Sequence, residues 1–126
     1  MTDEAAIREL MRRNVLEVFG QRDRAARRAA IAGLYAPDVR FVDDDGSVTG
    51  HDAIDDAVER VLTSFPQLSF AVATPPSAVG DLGRVTWELR TADGVARARG
   101  MDLATVADGR ITRMWTFLDP LLGAAQ

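Results

Sequence analysis

The spacing of hydrophobic residues changes near the middle of the chain. Apolar residues recur every three or four positions in three N-terminal stretches, whereas apolar and polar residues alternate from Leu82 to Asp119. The first pattern predicts amphipathic helices, and the second predicts strands with one buried face. Helices followed by a run of strands are typical of an α+β domain.

Three helices and a short strand are expected in the N-terminal half. Thr2 or Asp3 caps the first helix, and Ala36-Pro37 ends the second. The expected helices cover residues 3–19, 24–35 and 51–65, with a strand at 39–43 and an acidic turn at 44–46. A further strand is expected at 68–74, resuming near 77–79 after two prolines, and 121–126 are expected to form a loose tail.

Two tight turns, Asp93-Gly94 and Asp108-Gly109, join the three long strands between residues 82 and 119. This dipeptide favours the two-residue type I′ hairpin, which fixes the register of its strands. Counting from the turns places Trp87 opposite Gly100, Asp102 opposite Trp115 and Gly100 opposite Phe117. One carboxylate, Asp102, is therefore expected on a buried face between two tryptophans.

A strongly curved antiparallel sheet wrapped around the three N-terminal helices would form a cone enclosing a pocket. The face that carries Asp102 is the more apolar one and is expected to line the inside. The opposite face is expected to carry an apolar patch made of Met101, Leu103, Met114 and Leu118. Because a patch of this size is rarely left in water, we expect a homodimer through the outer sheet face.

Composition excludes several kinds of chemistry. The 126 residues fit one domain, 1–126, and contain no cysteine, no lysine and a single histidine, His51. Disulfides, thiolate metal sites and Schiff-base lysines are therefore absent, and neither a metal nor another cofactor is expected. With 19 acidic and 15 basic residues and no basic stripe, the sequence predicts no nucleic-acid binding. No signal core or membrane-spanning run is present, so a cytoplasmic location is expected.

Asp43 and Asp102 are the candidate catalytic residues. A carboxyl desolvated between indole rings has a raised pKa, so Asp102 could donate a hydrogen bond to a carbonyl oxygen becoming an enolate. Asp43, at a strand end, would be the wetter, ionised base. Two alternatives remain open. Arg113 could pair with Asp102 for structure alone, and Asp43 could belong only to a solvated turn.

Four further residues are candidate ligand contacts. Trp87, Trp115 and Phe117 are expected either to line the pocket or to fill the core. Asn14 lies on the apolar stripe of the first helix and could donate into the pocket or bond a neighbouring element.

Three motifs, LYAPDVRFVDDDG, TGHDAI and RGMDLATVADGRITRMWTFLD, resemble the nuclear transport factor 2-like superfamily, particularly its SnoaL-like members and the ketosteroid isomerases. The resemblance covers nearly the whole chain. It implies that Asp43 stands at the position of the isomerases' general base and Asp102 at that of their oxyanion-donating acid. The isomerases' catalytic tyrosine corresponds to Val15, next to Asn14.

The predicted function is proton transfer on a small hydrophobic carbonyl compound, as in an isomerase or polyketide cyclase. Binding of a small apolar ligand without catalysis is the alternative. A scaffold acting only through its dimer face would have no fillable cavity.

Overall fold

The computed structural model describes residues 2–119 and confirms an α+β fold, with three helices against a six-stranded curved sheet that does not close. The helices are α1 (Glu4–Arg13), which continues as a π-helical segment (Asn14–Phe19), α2 (Arg24–Leu34) and α3 (His51–Ser64). The strands are β1 (Tyr35–Asp43), β2 (Gly46–Thr49), β3 (Ser69–Val79), β4 (Leu82–Arg90), β5 (Ala96–Ala107) and β6 (Arg110–Asp119). The predicted tail at 121–126 lies outside the described residues.

The sheet has the order β2-β1-β6-β5-β4-β3. All neighbouring strands are antiparallel except β1 and β6, whose parallel pairing the sequence did not predict. No turn joins β1 to β6, and their relative direction therefore depends on how the chain returns to the sheet. The short strand β2, which pairs with β1 after the acidic turn, was not predicted either.

Both hairpin turns lie where the sequence predicts them, but only the second has the predicted length. Asp108 and Gly109 have φ values of 53° and 78°, as a type I′ turn requires. The first turn is wider, because the Thr91 amide donates to the Val95 carbonyl at 2.9 Å. The predicted pairing of Trp87 with Gly100 is nevertheless present.

A β-bulge in β6 changes the predicted register of the second hairpin. Val106 lies opposite Ile111 as expected, but the next residue back, Thr105, lies opposite Arg113. Thr112 is the extra residue, and its hydroxyl lies 2.8 Å from that of Thr105. Beyond Thr112, each side chain of β6 therefore lies on the face of the sheet opposite to the one that the unbulged register predicts.

The bulge overturns the predicted positions of Trp115 and Phe117. Asp102 lies opposite Thr116, and Trp115 and Phe117 lie on the outer face. The unbulged register would have placed Arg113 on the buried face. The bulge instead leaves Arg113 exposed and buries Met114 completely, which avoids desolvating an unpaired guanidinium.

The outer face carries an apolar patch of different composition from the predicted one. Met114 and Leu118 belong to the inner face, so their assignment to the patch is wrong. The outer patch consists of Met101, Leu103, Trp115 and Phe117.

A close contact between Trp87 and Gly100 fixes the position of the indole ring. A Cβ atom at Gly100 would lie 2.1 Å from Cζ2 of Trp87, so the ring rests directly on the β5 backbone. Only glycine leaves room for this arrangement. The contact determines where the indole N–H points.

Helices α2 and α3 are joined by a buried ion-pair cluster that the sequence did not indicate. Asp55 and Arg27 are almost completely buried, and Arg27 Nε donates to Asp55 Oδ1 at 2.7 Å. Arg24 and Arg28 also donate to the Asp55 carboxylate. Burial raises the pKa of Asp55, but the arginine hydrogen bonds outweigh burial, and the net pKa is lowered.

Within residues 2–119, no helix has the length and apolar character needed to cross a bilayer. The cytoplasmic location stays a prediction.

We expect Gly100→Ala to destabilise the fold by about 1–3 kcal/mol, because the added methyl group overlaps the Trp87 ring. Gly33→Ala is the matched control. A Cβ there meets nothing within 4 Å, and alanine should stabilise helix α2 by about 0.5–1 kcal/mol. Urea unfolding measures both changes, and equal stability of the two variants would contradict the predicted contact.

Candidate functional site

An apolar cavity of about 240 Å³ lies between the helices and the inner face of the sheet. Its wall is mostly aromatic and aliphatic, with carboxylates on one side and a single hydroxyl. The lining residues are Phe19, Phe41, Asp43, Asp44, Asp45, Ala57, Val61, Phe65, Phe70, Trp87, Leu89, Thr116 and Leu118. Such a lining suits a small hydrophobic ligand oriented by a few polar contacts.

Asp43 lines the cavity from the end of β1. Its side chain is half-buried, and Oδ1 accepts a hydrogen bond from the Asp45 amide at 2.9 Å. No other hydrogen bond to this carboxylate occurs among residues 2–119. Val42 pairs with Trp115 in the parallel β1–β6 ladder, so Asp43 and Thr116 follow at the next step on neighbouring strands.

Asp102 lies directly behind the cavity wall. It is 2 % exposed and is not among the described lining residues. Oδ1 accepts hydrogen bonds from Trp87 Nε1 at 3.0 Å and from Thr116 Oγ1 at 2.8 Å, and Oδ2 accepts one from Asn14 Nδ2 at 2.8 Å. All three donors are neutral. The alternative pairing with Arg113 is wrong, because Arg113 is exposed on the outer face.

Asn14 connects Asp102 to a second buried hydroxyl. The Tyr35 hydroxyl donates to Asn14 Oδ1, while the Asn14 amide group donates to Asp102. Asn14 opens the π-helical segment, a feature that is often found at functional sites. It is fully buried and does not line the cavity among the described residues, whereas its neighbour Val15 packs in the core. The first helix therefore reaches the acid through Asn14.

Burial controls the ionisation of this network. It raises the pKa of Asp102 from 3.8 to about 6, although the hydrogen bonds from Thr116, Trp87 and Asn14 act in the opposite direction. Burial, followed by the nearby charge of Asp102, raises the pKa of Tyr35 well above its ordinary value. Asp102 can therefore gain or lose a proton near neutral pH.

The structure brings only part of the predicted site together. Asp43 and Trp87 line the cavity, whereas Asp102 and Asn14 form a layer behind it. The prediction that Trp115 and Phe117 line it is wrong; both are on the outer face, where Phe117 is 53 % exposed.

Sequence reasoning missed Thr116, the residue that touches both the cavity and Asp102. The signal for it was present in the sequence. The unbulged register would place Arg113 opposite Ala104 on the apolar face, and such a conflict indicates a bulge.

No set of three or more His, Cys, Asp or Glu side chains within residues 2–119 is arranged to hold a metal ion.

We expect the free energy of unfolding of the wild type, relative to that of Asp102→Asn, to fall as the pH rises from about 4 to about 6. In this range the folded protein keeps a proton on Asp102 that the unfolded chain has released, since the pKa is about 6 in the fold and 3.8 ordinarily. The amide variant lacks this loss, which amounts to about 3 kcal/mol. Urea unfolding across this pH range measures the difference, with Asp38→Asn on the exposed part of β1 as control. Parallel stability curves would contradict the raised pKa.

The fold has counterparts among solved structures. The chain is similar to a candidate isomerase of the SnoaL-like family from Agrobacterium tumefaciens, with 26% identity, coverage of 91% of this chain and 98% of that chain, and a TM-score of 0.83. It is similar to a candidate ketosteroid isomerase from Kribbella flavida, with 25% identity, 94% and 82% coverage and a TM-score of 0.69. A candidate SnoaL-like polyketide cyclase from Jannaschia sp. shares the fold, with 20% identity, 99% and 95% coverage and a TM-score of 0.77.

No curated protein matches the chain. The family model described as the SnoaL-like domain matches residues 12–114, which is most of the sequence and includes Asn14, Asp43 and Asp102. The chain therefore belongs to the SnoaL-like family of the nuclear transport factor 2-like fold.

Proposed function

We propose that this protein catalyses cofactor-independent proton transfer next to the carbonyl group of a small hydrophobic compound, as an isomerase or a polyketide-cyclase-like enzyme. Asp43 acts as the base and Asp102 as the acid that stabilises the oxyanion. The observation that carries the proposal is the apolar cavity with the Asp43 carboxylate in its wall and the buried Asp102 carboxyl one hydrogen bond behind the wall, through Thr116.

The two carboxyls have environments suited to opposite roles. Asp43 is half-buried in the cavity wall beside an acidic turn, and its carboxylate is available to accept a proton from carbon. Asp102 is held by neutral donors, and burial raises its pKa to about 6. A protonated Asp102 can stabilise the negative charge that develops on the carbonyl oxygen.

In the proposed reaction, Asp43 removes a proton from the carbon beside the carbonyl. The electron pair of that C–H bond forms a carbon–carbon double bond, and the carbonyl π pair moves to oxygen. Protonated Asp102 stabilises the negative charge that develops on this oxygen. Return of the proton to another carbon completes an isomerisation, and attack of the enolate on a second carbonyl closes a ring. Both reactions proceed without a redox partner.

The lining restricts the class of substrate. Aromatic and aliphatic side chains together provide most of the cavity wall, so an apolar ring system is favoured. The carboxylates of Asp43, Asp44 and Asp45 lie on one side, and no basic residue lines the cavity within residues 2–119. Anionic substrates are therefore disfavoured, and a neutral ketone suits the charge of the site. The SnoaL-like isomerase and ketosteroid isomerase candidates among the structural relatives support the same reaction class.

We expect Asp43→Asn to abolish proton abstraction while leaving ligand binding nearly unchanged, because the amide keeps the shape of the carboxylate but cannot accept the proton. Exchange of the carbon-bound hydrogens of 1-indanone for deuterium in D₂O, followed by NMR, measures abstraction without requiring the natural substrate. The rate above background should fall about 100-fold or more. Isothermal titration with 1-indanone measures binding.

Asp38→Asn, an exposed position on the same strand, is the control and should exchange at the wild-type rate. Binding of 1-indanone without catalysed exchange in the wild type would favour the alternative function, a non-catalytic module for small apolar ligands. Failure of neutral bicyclic ketones as a class to bind would contradict both functions.

We also propose that two copies of the chain associate through the outer sheet face. The supporting observation is the outer patch, where Met101 pairs with Phe117 and Leu103 pairs with Trp115 across β5 and β6. Phe117 is 53 % exposed, whereas phenylalanine side chains in folded proteins are usually buried. Association would remove this surface from water.

We expect sedimentation velocity at micromolar concentration to show a wild-type dimer and a Phe117→Glu monomer, since a buried unpaired carboxylate opposes association. Val79→Glu, at a position that is 77 % exposed and outside the patch, should remain dimeric. A monomeric wild type would refute this interface.

A further inference from the structure

We propose that the Thr116 hydroxyl is the group through which Asp102 acts on the bound ligand, so that Thr116 is itself a catalytic residue. This inference rests on the proposed function, because it assigns the contact that delivers the acid to the carbonyl oxygen. It makes Thr116 the link between a buried acid and the cavity.

Of the three residues that donate hydrogen bonds to Asp102, Thr116 is the one that can connect it to a ligand in the cavity. Asn14 is behind the wall, and its carbonyl oxygen already accepts from the Tyr35 hydroxyl. Trp87 lines the cavity, but its single N–H is directed at Asp102. Thr116 both lines the cavity and bonds Asp102 Oδ1, at 2.8 Å. No other described residue does this with a group that can both donate and accept.

The β6 bulge creates this arrangement. Without the extra residue Thr112, the side chain opposite Asp102 would be Trp115, whose only polar group is a donor. With the bulge, Thr116 faces inward at the level of Asp43 on the neighbouring strand. Neighbouring strands are about 4.8 Å apart, so the base and the hydroxyl can reach adjacent atoms of one ligand.

A hydroxyl can reverse its polarity because it has one hydrogen and two lone pairs. When Asp102 is ionised, Thr116 donates to it and offers the ligand a lone pair. When Asp102 is protonated, the acid donates to the Thr116 oxygen, and the Thr116 hydrogen is free to bond a carbonyl. The cavity therefore favours ligands with a hydroxyl donor in the first state and ketones in the second.

The same reversal gives a balanced proton transfer. Asp43 takes the proton from carbon, and the carbonyl oxygen takes the Thr116 proton as the π pair moves onto it. The Thr116 oxygen takes the proton of Asp102. The products are an enol, a protonated Asp43 and an ionised Asp102. No charge is created or lost, and Thr116 ends as a neutral hydroxyl.

The charge of Asp102 decides in which direction the Thr116 hydrogen bond points, because the side chains bonded to Asp102 do not change charge with pH. Asn14 faces it from the first helix, Trp87 from β4 and Thr116 from β6, and none of these side chains titrates. Tyr35, behind Asn14, is titratable, but burial raises its pKa well above neutral pH. Across the cavity, the acidic side chains in the wall are those of Asp43, Asp44 and Asp45. Burial raises the pKa of Asp102 to about 6, so a pH series can observe both states.

The test compares the wild type, Thr116→Val and Thr116→Ser with two neutral bicyclic compounds, 1-indanone as acceptor and 2-naphthol as donor. Isothermal titration between about pH 5 and about pH 8 should show wild-type indanone affinity weakening several-fold as pH rises, while naphthol affinity strengthens. Thr116→Val, which keeps the shape without the hydroxyl, should lose both trends. Indanone exchange should also fall about 100-fold. Thr116→Ser should restore both properties.

The same binding series in an Asp43→Asn background separates this inference from the proposed function. Opposite pH trends that persist there and disappear in Asp43→Asn/Thr116→Val support the role of Thr116, whether or not the wild type catalyses exchange. The inference is wrong if Thr116→Val keeps both pH trends or exchanges 1-indanone at the wild-type rate. The proposed function still holds in that case if Asp43→Asn abolishes exchange. Equal melting temperatures of the Val and Ser variants show that folding does not explain the difference.

Discussion

A carboxyl group held away from water by neutral donors alone is the interaction on which the site depends. Removing the Asp102 carboxylate from water is unfavourable, and the hydrogen bonds from Asn14, Trp87 and Thr116 compensate only in part, so its pKa is raised to about 6. These donors come from the first helix, β4 and β6. The acid therefore requires that the helical layer and the sheet be assembled around it.

Each donor is positioned by a local departure from regular structure. The π-helical segment begins at Asn14, the β6 bulge directs Thr116 inward, and Gly100 gives the Trp87 ring room to lie on the β5 backbone. Such departures are unfavourable or neutral for isolated elements, yet they converge on one side chain. This convergence is the pattern expected of a functional site.

A second buried acid in the same protein shows the opposite solution. Asp55 is as inaccessible as Asp102, but it is bonded by Arg24, Arg27 and Arg28, and its pKa is lowered. That cluster joins α2 to α3 and contributes to structure. The comparison shows that burial alone does not produce a titratable acid near neutral pH. The absence of a cation in contact is equally necessary.

The sequence by itself determined the order of the three helices and of every strand except β2, the second hairpin turn and the presence of Asp102 on a buried face, because these depend on local periodicity and turn chemistry. It also indicated Asp43 through the short strand before the acidic turn. Only the tertiary structure decided that β1 pairs in parallel with β6, that Thr116 rather than Trp115 faces the acid, and that Asn14 reaches it from the helix. A bulge changes every inward side chain beyond it, and contacts between distant elements have no local signature. The packing of the helices on the sheet therefore selects the residues that meet at the cavity.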